Sequence, residues 1–271
     1  MKLIVAPSSK EQLNNVILKD IDGIIIYIDK LSVNSSFYMN IEDVFKYDFK
    51  DKTVFLCMNK IMHNNDLSMV RDVLNRVKES NYKILFYDMG IFNIAKDLDI
   101  VSKLVIYQDH LNASSLSNKF YFDLGISGSY ITSDITRDEI INIKRNNNGF
   151  VMMNIYGYLP IFYSRRYIIT NYLKYINVVK KDGNYKIISE DVEKYPIVEE
   201  EYGSTIYSAY PVNLLSKLDE LKDIDYLVMN SNLVDEKEFT GLLDKVINKE
   251  QIDDGYVGFY DTKTIYRVKG E

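Results

Sequence analysis

Eight short apolar, β-branched runs recur along the chain, at residues 3–6, 23–28, 53–58, 83–87, 104–107, 129–132, 150–155 and 226–229. Between most of them the apolar positions change to helical spacing. Leu67, Val70, Val73, Leu74 and Val77 share one helix face, and Ile140, Ile141 and Ile143 follow the capping-box pattern Thr136-x-x-Glu139. A strand that leads through a helix to the next strand crosses over, so successive strands pair in parallel. Eight such units are the number that closes a parallel barrel. The predicted fold is therefore α/β, a (β/α)8 TIM-type barrel, regular or distorted.

One connection breaks the alternation. Residues 156–221, after the seventh run, hold Tyr- and Val-rich pieces at 172–179 and 185–189 on either side of Lys181-Asp182-Gly183-Asn184. This pattern predicts a β-hairpin inserted after the seventh strand, and insertions of that length are usually functional or interfacial. The tail, 258–269, alternates like a further strand that packs back on the body. With four Pro and twelve Gly and no Ser/Gly/Pro-rich stretch, nothing reads as a linker, so 1–271 is expected to be a single barrel domain with its insertion at about 156–221.

A formal charge of -6 argues against broad, non-specific nucleic-acid binding and leaves room only for a local basic groove. The chain has one cysteine, Cys57, inside the apolar run Val54-Phe55-Leu56-Cys57-Met58; it reads as a buried thiol in a reducing, cytoplasmic setting. The first residues read as a strand rather than a signal segment, and no apolar run approaches the ~18 residues that span a bilayer. No membrane association is expected.

In a parallel barrel the loops after the strands form the functional face, because strand carboxyl ends and helix amino ends converge there. The residues just past the runs are polar: Asn59 with His63 in the same loop, Asp88, Gln108 to His110, Asp134, Tyr156 and Asn230. Taken singly, each also fits helix capping or a turn; as a ring they are candidates for ligand binding. No Walker loop, G-x-G-x-x-G, H-E-x-x-H or G-x-S-x-G is present, and two histidines, His63 and His110, fall short of a zinc site without added carboxylates. No catalytic residue is assigned, and neither a metal nor a cofactor is expected. Arg165 and Arg166, adjacent in the long connection, suit a bidentate clamp on carboxylate or phosphate. The competing role is an ion pair with Glu199-Glu200-Glu201.

Four segments carry a resemblance. Residues 58–67, Met-Asn-Lys-Ile-Met-His-Asn-Asn-Asp-Leu, resemble a "VNTLVHNDEL" element, and 156–172, Tyr-Gly-Tyr-Leu-Pro-Ile-Phe-Tyr-Ser-Arg-Arg-Tyr-Ile-Ile-Thr-Asn-Tyr, resemble "HGALCMSYSGRCLLSNY" without a gap. Residues 195–206 are similar to "P-x-x-E-D-E-x-G-T-Y-I", and 258–269 to "GFLYxKTIYKVK". These are elements of the collagenase-like "U-thirty-two" peptidase family, and their order and spacing hold over nearly the whole chain.

The resemblance implies a barrel, and in relatives it implies an iron-sulfur cluster in enzymes that hydroxylate tRNA, ribosomal RNA or ubiquinone precursors without oxygen. Pro160 and Tyr167 stand where the signature has its first two cysteines, and Arg165 replaces its glycine. A cubane cluster needs about four thiolates, so this chain is not expected to hold one alone. The chain resembles the shorter of the paired bacterial proteins linked to 5-hydroxyuridine formation at the tRNA wobble position, with prephenate as the family's proposed hydroxyl donor. The implied role is a non-redox subunit or binding protein, partnered by a cysteine-bearing homologous subunit and by tRNA or a small carboxylated metabolite. The alternatives are a peptidase of the collagenase-like family and a degenerate barrel that binds a small anion.

Overall fold

The structure is a computed structural model and describes residues 2–108, 112–188 and 193–262. The chain divides into two compact units, one made of the residues up to Gly157 and those from Asn213 on, the other of Tyr158–Val212.

In the first unit the elements run β1 (Lys2–Ala6), α1 (Lys10–Val16), β2 (Gly23–Ile28), β3 (Tyr38–Met39), α2 (Ile41–Lys46), β4 (Thr53–Met58), α3 (Leu67–Lys78), β5 (Lys83–Phe86), α4 (Met89–Asp97), β6 (Leu104–Tyr107), α5 (Ser115–Asp123), β7 (Gly128–Tyr130), α6 (Arg137–Arg145) and β8 (Phe150–Gly157). In the second come β9 (Pro160–Ser164), α7 (Ile168–Tyr175), β10 (Tyr185–Ile188), β11 (Lys194–Glu200) and β12 (Gly203–Tyr207); β13 (Val212–Asn213), β14 (Tyr226–Asn230) and α8 (Glu236–Asn248) follow.

Eight parallel strands close a ring: β1 pairs with β2 on one side and β14 on the other, and β4, β5, β6, β7 and β8 complete the circuit. Each apolar run predicted as a strand is one of these eight. Strand β3 pairs in parallel with the carboxyl end of β2. The helices form for the reasons the sequence gives. Val70, Val73, Leu74 and Val77 bury one face of α3, and the Thr136–Glu139 capping box closes the amino end of α6.

The ring is filled by layers of side chains drawn from alternate strands. Ile4, Phe55, Val105 and Met152 come from β1, β4, β6 and β8, and Ile25, Leu85, Tyr130 and Val228 come from β2, β5, β7 and β14; all belong to one buried cluster. Phe55 packs edge-on against Tyr226 at 5.4 Å and Phe150 at 6.4 Å. Towards the strand carboxyl ends the next layer holds Ala6, Cys57 and Tyr107 of the same cluster. Its fourth position falls to Asn154, two residues beyond inward-facing Met152 and in register with inward-facing Val228. The Cys57 thiol is buried, as its apolar run predicts.

The second unit is a four-stranded antiparallel sheet in the order β10-β11-β12-β9, with α7. The strand expected over 172–179 is replaced by the end of a helix. Ile168, Ile169, Tyr172, Leu173 and Ile176 repeat at helical spacing, and the Glu199 carboxylate accepts a hydrogen bond from the Thr170 N–H at 3.0 Å, in the first turn of α7. Ser204 accepts from the Ile168 N–H at 3.0 Å and donates to the Arg166 carbonyl at 2.8 Å. The hairpin instead joins β10 to β11. In the tail, Gly258 to Asp261 form turns where a strand was expected, and the remainder, from 263 on, lies outside the described residues.

Candidate functional site

The polar residues at the strand carboxyl ends sit in the first unit, and most are tied to backbone. Asn59 is buried: its Oδ1 accepts from the Val33 N–H at 2.9 Å and its Nδ2 donates to the Val33 carbonyl at 3.1 Å. Asp88 caps α4 through Gly90 N–H at 2.7 Å and holds the Met62 N–H at 3.1 Å. Between them, exposed His63 donates its backbone N–H to Asp66 at 2.8 Å, and Lys60, almost fully buried, lies 3.0 Å from the same carboxylate. Burial works against ionisation of Asp66, but the His63 N–H and Lys60 outweigh it and hold its carboxyl below the usual range. Gln108 accepts from the Tyr121 hydroxyl at 2.9 Å; His110 lies outside the described residues. Asp134 is exposed, its N–H donating to Thr132. Asn230 accepts from the Asn232 N–H at 2.9 Å across its own turn.

Tyr156 is directed elsewhere by an irregularity in β8. Val228 of β14 pairs with Asn154, but the next residue, Met229, pairs with Tyr156, so Ile155 is an extra residue in the strand. A bulge of this kind shifts the alternation of inward and outward side chains by one. Asn154, before the bulge, keeps the inward phase of Met152, while Tyr156, after it, turns outward, packs on Phe239 of α8 at 6.1 Å between ring centres and donates to Glu238 at 2.8 Å. Gly157 ends the strand at φ +127°, where a Cβ would meet the Asn230 carbonyl oxygen at 2.3 Å. Only glycine fits that approach.

Asn154 was not among the strand-end candidates, because it lies inside its run. It is 4% exposed, and neither its Oδ1 nor its Nδ2 has a hydrogen-bond partner among the described residues. Its main chain is satisfied, with Ser133 donating to its carbonyl at 3.3 Å. An asparagine in the apolar stretch Val151-Met152-Met153-Asn154-Ile155, on the inward phase set by Met152, is the sequence signal that marks it.

In the second unit Arg165 and Arg166 are both exposed, and neither makes an ion pair among the described residues. The acidic run does not consume them. Glu199, its side chain 4% exposed, binds Lys180 at 2.6 Å and the amino end of α7. Burial alone would raise its carboxyl; Lys180 and Thr170 together lower it below the usual range. The Tyr163 hydroxyl donates to the Tyr202 carbonyl and is pushed up by burial, with Arg165 acting against the rise and Glu200 adding to it.

Among the described residues no group of three His, Cys, Asp or Glu is placed to hold a metal ion, and no helix is long and apolar enough to cross a membrane. The family model for Peptidase family U32 matches residues 9–240. The chain belongs to this family. A curated relative, tRNA hydroxylation protein P2 of Bacillus subtilis (strain 168), is 25% identical over 178 residues, covering 63% of this chain and 58% of the relative, so the match spans less than two thirds of that protein. The solved structure of the U32 peptidase Mk0906 overlays with a TM-score of 0.55 at 11% identity, covering 85% of this chain and 92% of that one, a likeness of fold.

The iron-sulfur cluster implied by the family resemblance does not fit these residues. Pro160 lies in β9, and Tyr167 precedes α7 with its hydroxyl donated to the Glu201 carbonyl at 2.8 Å. Neither offers a thiolate. The one thiol of the chain, Cys57, is enclosed by barrel layers, against the four thiolates or so that a cubane cluster requires.

Proposed function

We propose that this U32 family barrel acts in tRNA wobble-uridine 5-hydroxylation as a non-redox subunit or binding protein. The observation that carries this reading is the match to tRNA hydroxylation protein P2, taken together with a chain whose single cysteine leaves the redox chemistry to another component. A cysteine-bearing homologous subunit would supply that chemistry. On this reading the barrel mouth takes the small-molecule or nucleoside component, and Arg165 and Arg166, exposed and without an ion pair among the described residues, hold an RNA phosphate or a carboxylate in bidentate fashion. The net charge of -6 keeps such contact local and weakens non-specific binding.

Nucleoside mass spectrometry of tRNA from a strain deleted for the gene is the test. Loss of 5-hydroxyuridine and its derivatives supports the proposal, and unchanged levels reject it. The family description and the Mk0906 likeness favour a second reading, proteolysis. That reading expects turnover of gelatin or labelled casein that co-purifies with the chain and disappears on substitution of Asn59 or Asp134; the proposal expects none.

A further inference from the structure

The uncommitted carboxamide of Asn154 is out of keeping with the rest of the barrel interior. A buried amide without partners is costly, and side chains of its own layer, Ala6, Cys57 and Tyr107, give it none. The β8 bulge ends regular pairing directly after it and turns Tyr156 away, so Asn154 is the last residue of β8 aimed at the barrel axis. Bulges of this kind are common beside active sites, where they re-aim a side chain. Next towards the mouth stand Tyr27 of β2 and Asn230 of β14.

We infer that Asn154 is a ligand-binding residue in the barrel mouth and that it recognises a neutral, planar group with adjacent hydrogen-bond donor and acceptor, such as the imide edge of a uracil base. Three features define that class. The carboxamide offers one acceptor and two donors side by side, which a lactam or imide edge matches with two bonds: N3–H to Oδ1 and Nδ2–H to O4. The other residues of its own layer, Ala6, Cys57 and Tyr107, bring no counter-charge, so a carboxylate or phosphate against them would be buried without compensation. Tyr107 and Tyr27 supply ring surface of the kind on which bases stack. The choice of uracil within this class rests on the tRNA reading above.

The purified full chain is titrated with uridine and with 3-methyluridine, whose N3 donor is blocked. Side-chain carboxamide resonances are followed in 1H–15N spectra, with that of Asn154 identified by its absence in Asn154→Leu. Uridine is expected to shift the Asn154 resonance, 3-methyluridine to bind at least tenfold more weakly, and Asn154→Leu to lose at least tenfold in uridine affinity while melting no lower than the native chain. The comparison of uridine with 3-methyluridine on the native chain stands even if the variant fails to fold. An Asn154 resonance unmoved by uridine, equal binding of the two nucleosides, or an Asn154→Leu protein that melts several degrees lower because the carboxamide was serving the fold would each overturn the inference. A strain carrying Asn154→Leu with full 5-hydroxyuridine, where the deletion strain lacks it, sinks this inference alone. A deletion strain with unchanged tRNA sinks the tRNA reading.

Discussion

The two units bury their apolar residues to very different degrees. In the barrel, the inward layer of Ile4, Phe55, Val105 and Met152 is fully enclosed. In the second unit Ile169, Ile197 and Tyr207 are buried, while Tyr175 and Val179 are 84% and 81% exposed and Phe162 and Ile188 are also open. An apolar groove of about 430 Å³ lies between α7 and the β10–β11 hairpin, lined by Ile169, Tyr172, Leu173, Ile187 and Ile197. Local stability follows buried apolar contact, so the barrel is the cooperative unit and the insertion depends more on a few polar ties centred on Glu199 and Ser204. The difference shows where a chain of this family can change its surface chemistry without losing its fold.

The comparison is tested most severely by removing a layer residue. Phe55→Ala should cost about 3–5 kcal/mol, read as an earlier urea midpoint with loss of protection throughout residues 2–157. A loss under about 1 kcal/mol would mean that the layers are not the source of stability. The counterpart in the insertion is Glu199→Ala, which removes the Lys180 pair and the tie to α7. It should cost about 1.5–3 kcal/mol, with faster amide exchange confined to residues 158–212. Equal loss of protection in the barrel would erase the distinction.

Acid sharpens the same contrast. Glu199 and Asp66 both have folded-state pKa values below the usual carboxylate range. A depressed carboxylate stabilises the fold above its unfolded pKa, about 4, and that contribution is lost as pH falls through the lower folded value. Stability should therefore decline on acidification below about pH 4, first in the amides of the insertion, and Glu199→Ala should flatten that decline there. A decline of the same size in Glu199→Ala contradicts the assignment. The smallest effect concerns Tyr156: Tyr156→Phe keeps the packing on Phe239 and loses the bond to Glu238, at about 0.5–1.5 kcal/mol, without change in ligand binding at the mouth.

The same contrast separates what the sequence reveals from what it conceals. Every barrel strand is legible as an apolar run because burial on both faces leaves no polar alternation to confuse it. The insertion is harder. The Tyr- and Ile-rich segment around Tyr172 has the composition of a strand, yet Glu199, some thirty residues away in sequence, caps it as a helix. Position past a strand also says little about orientation: the extra residue Ile155 sends Tyr156 to α8, and Asp88 and Asn59 bind backbone as capping chemistry allows. No local pattern announces a bulge. Asn154, interior to its run, is conspicuous only once the inward phase of β8 is known.

The proposed role is that this chain serves tRNA uridine hydroxylation through binding groups of its own. The measurement that tests it most directly is the 5-hydroxyuridine content of tRNA from a deletion strain re-expressing either the native chain or the Arg165→Ala/Arg166→Ala double variant, with both proteins at equal abundance. The native chain should restore the modified nucleoside, and the double variant should restore less than about a tenth of it, the loss on the scale of truncated charge-assisted contacts. Hydroxylated uridine at full level in the deletion strain, or full restoration by the double variant, would contradict the claim.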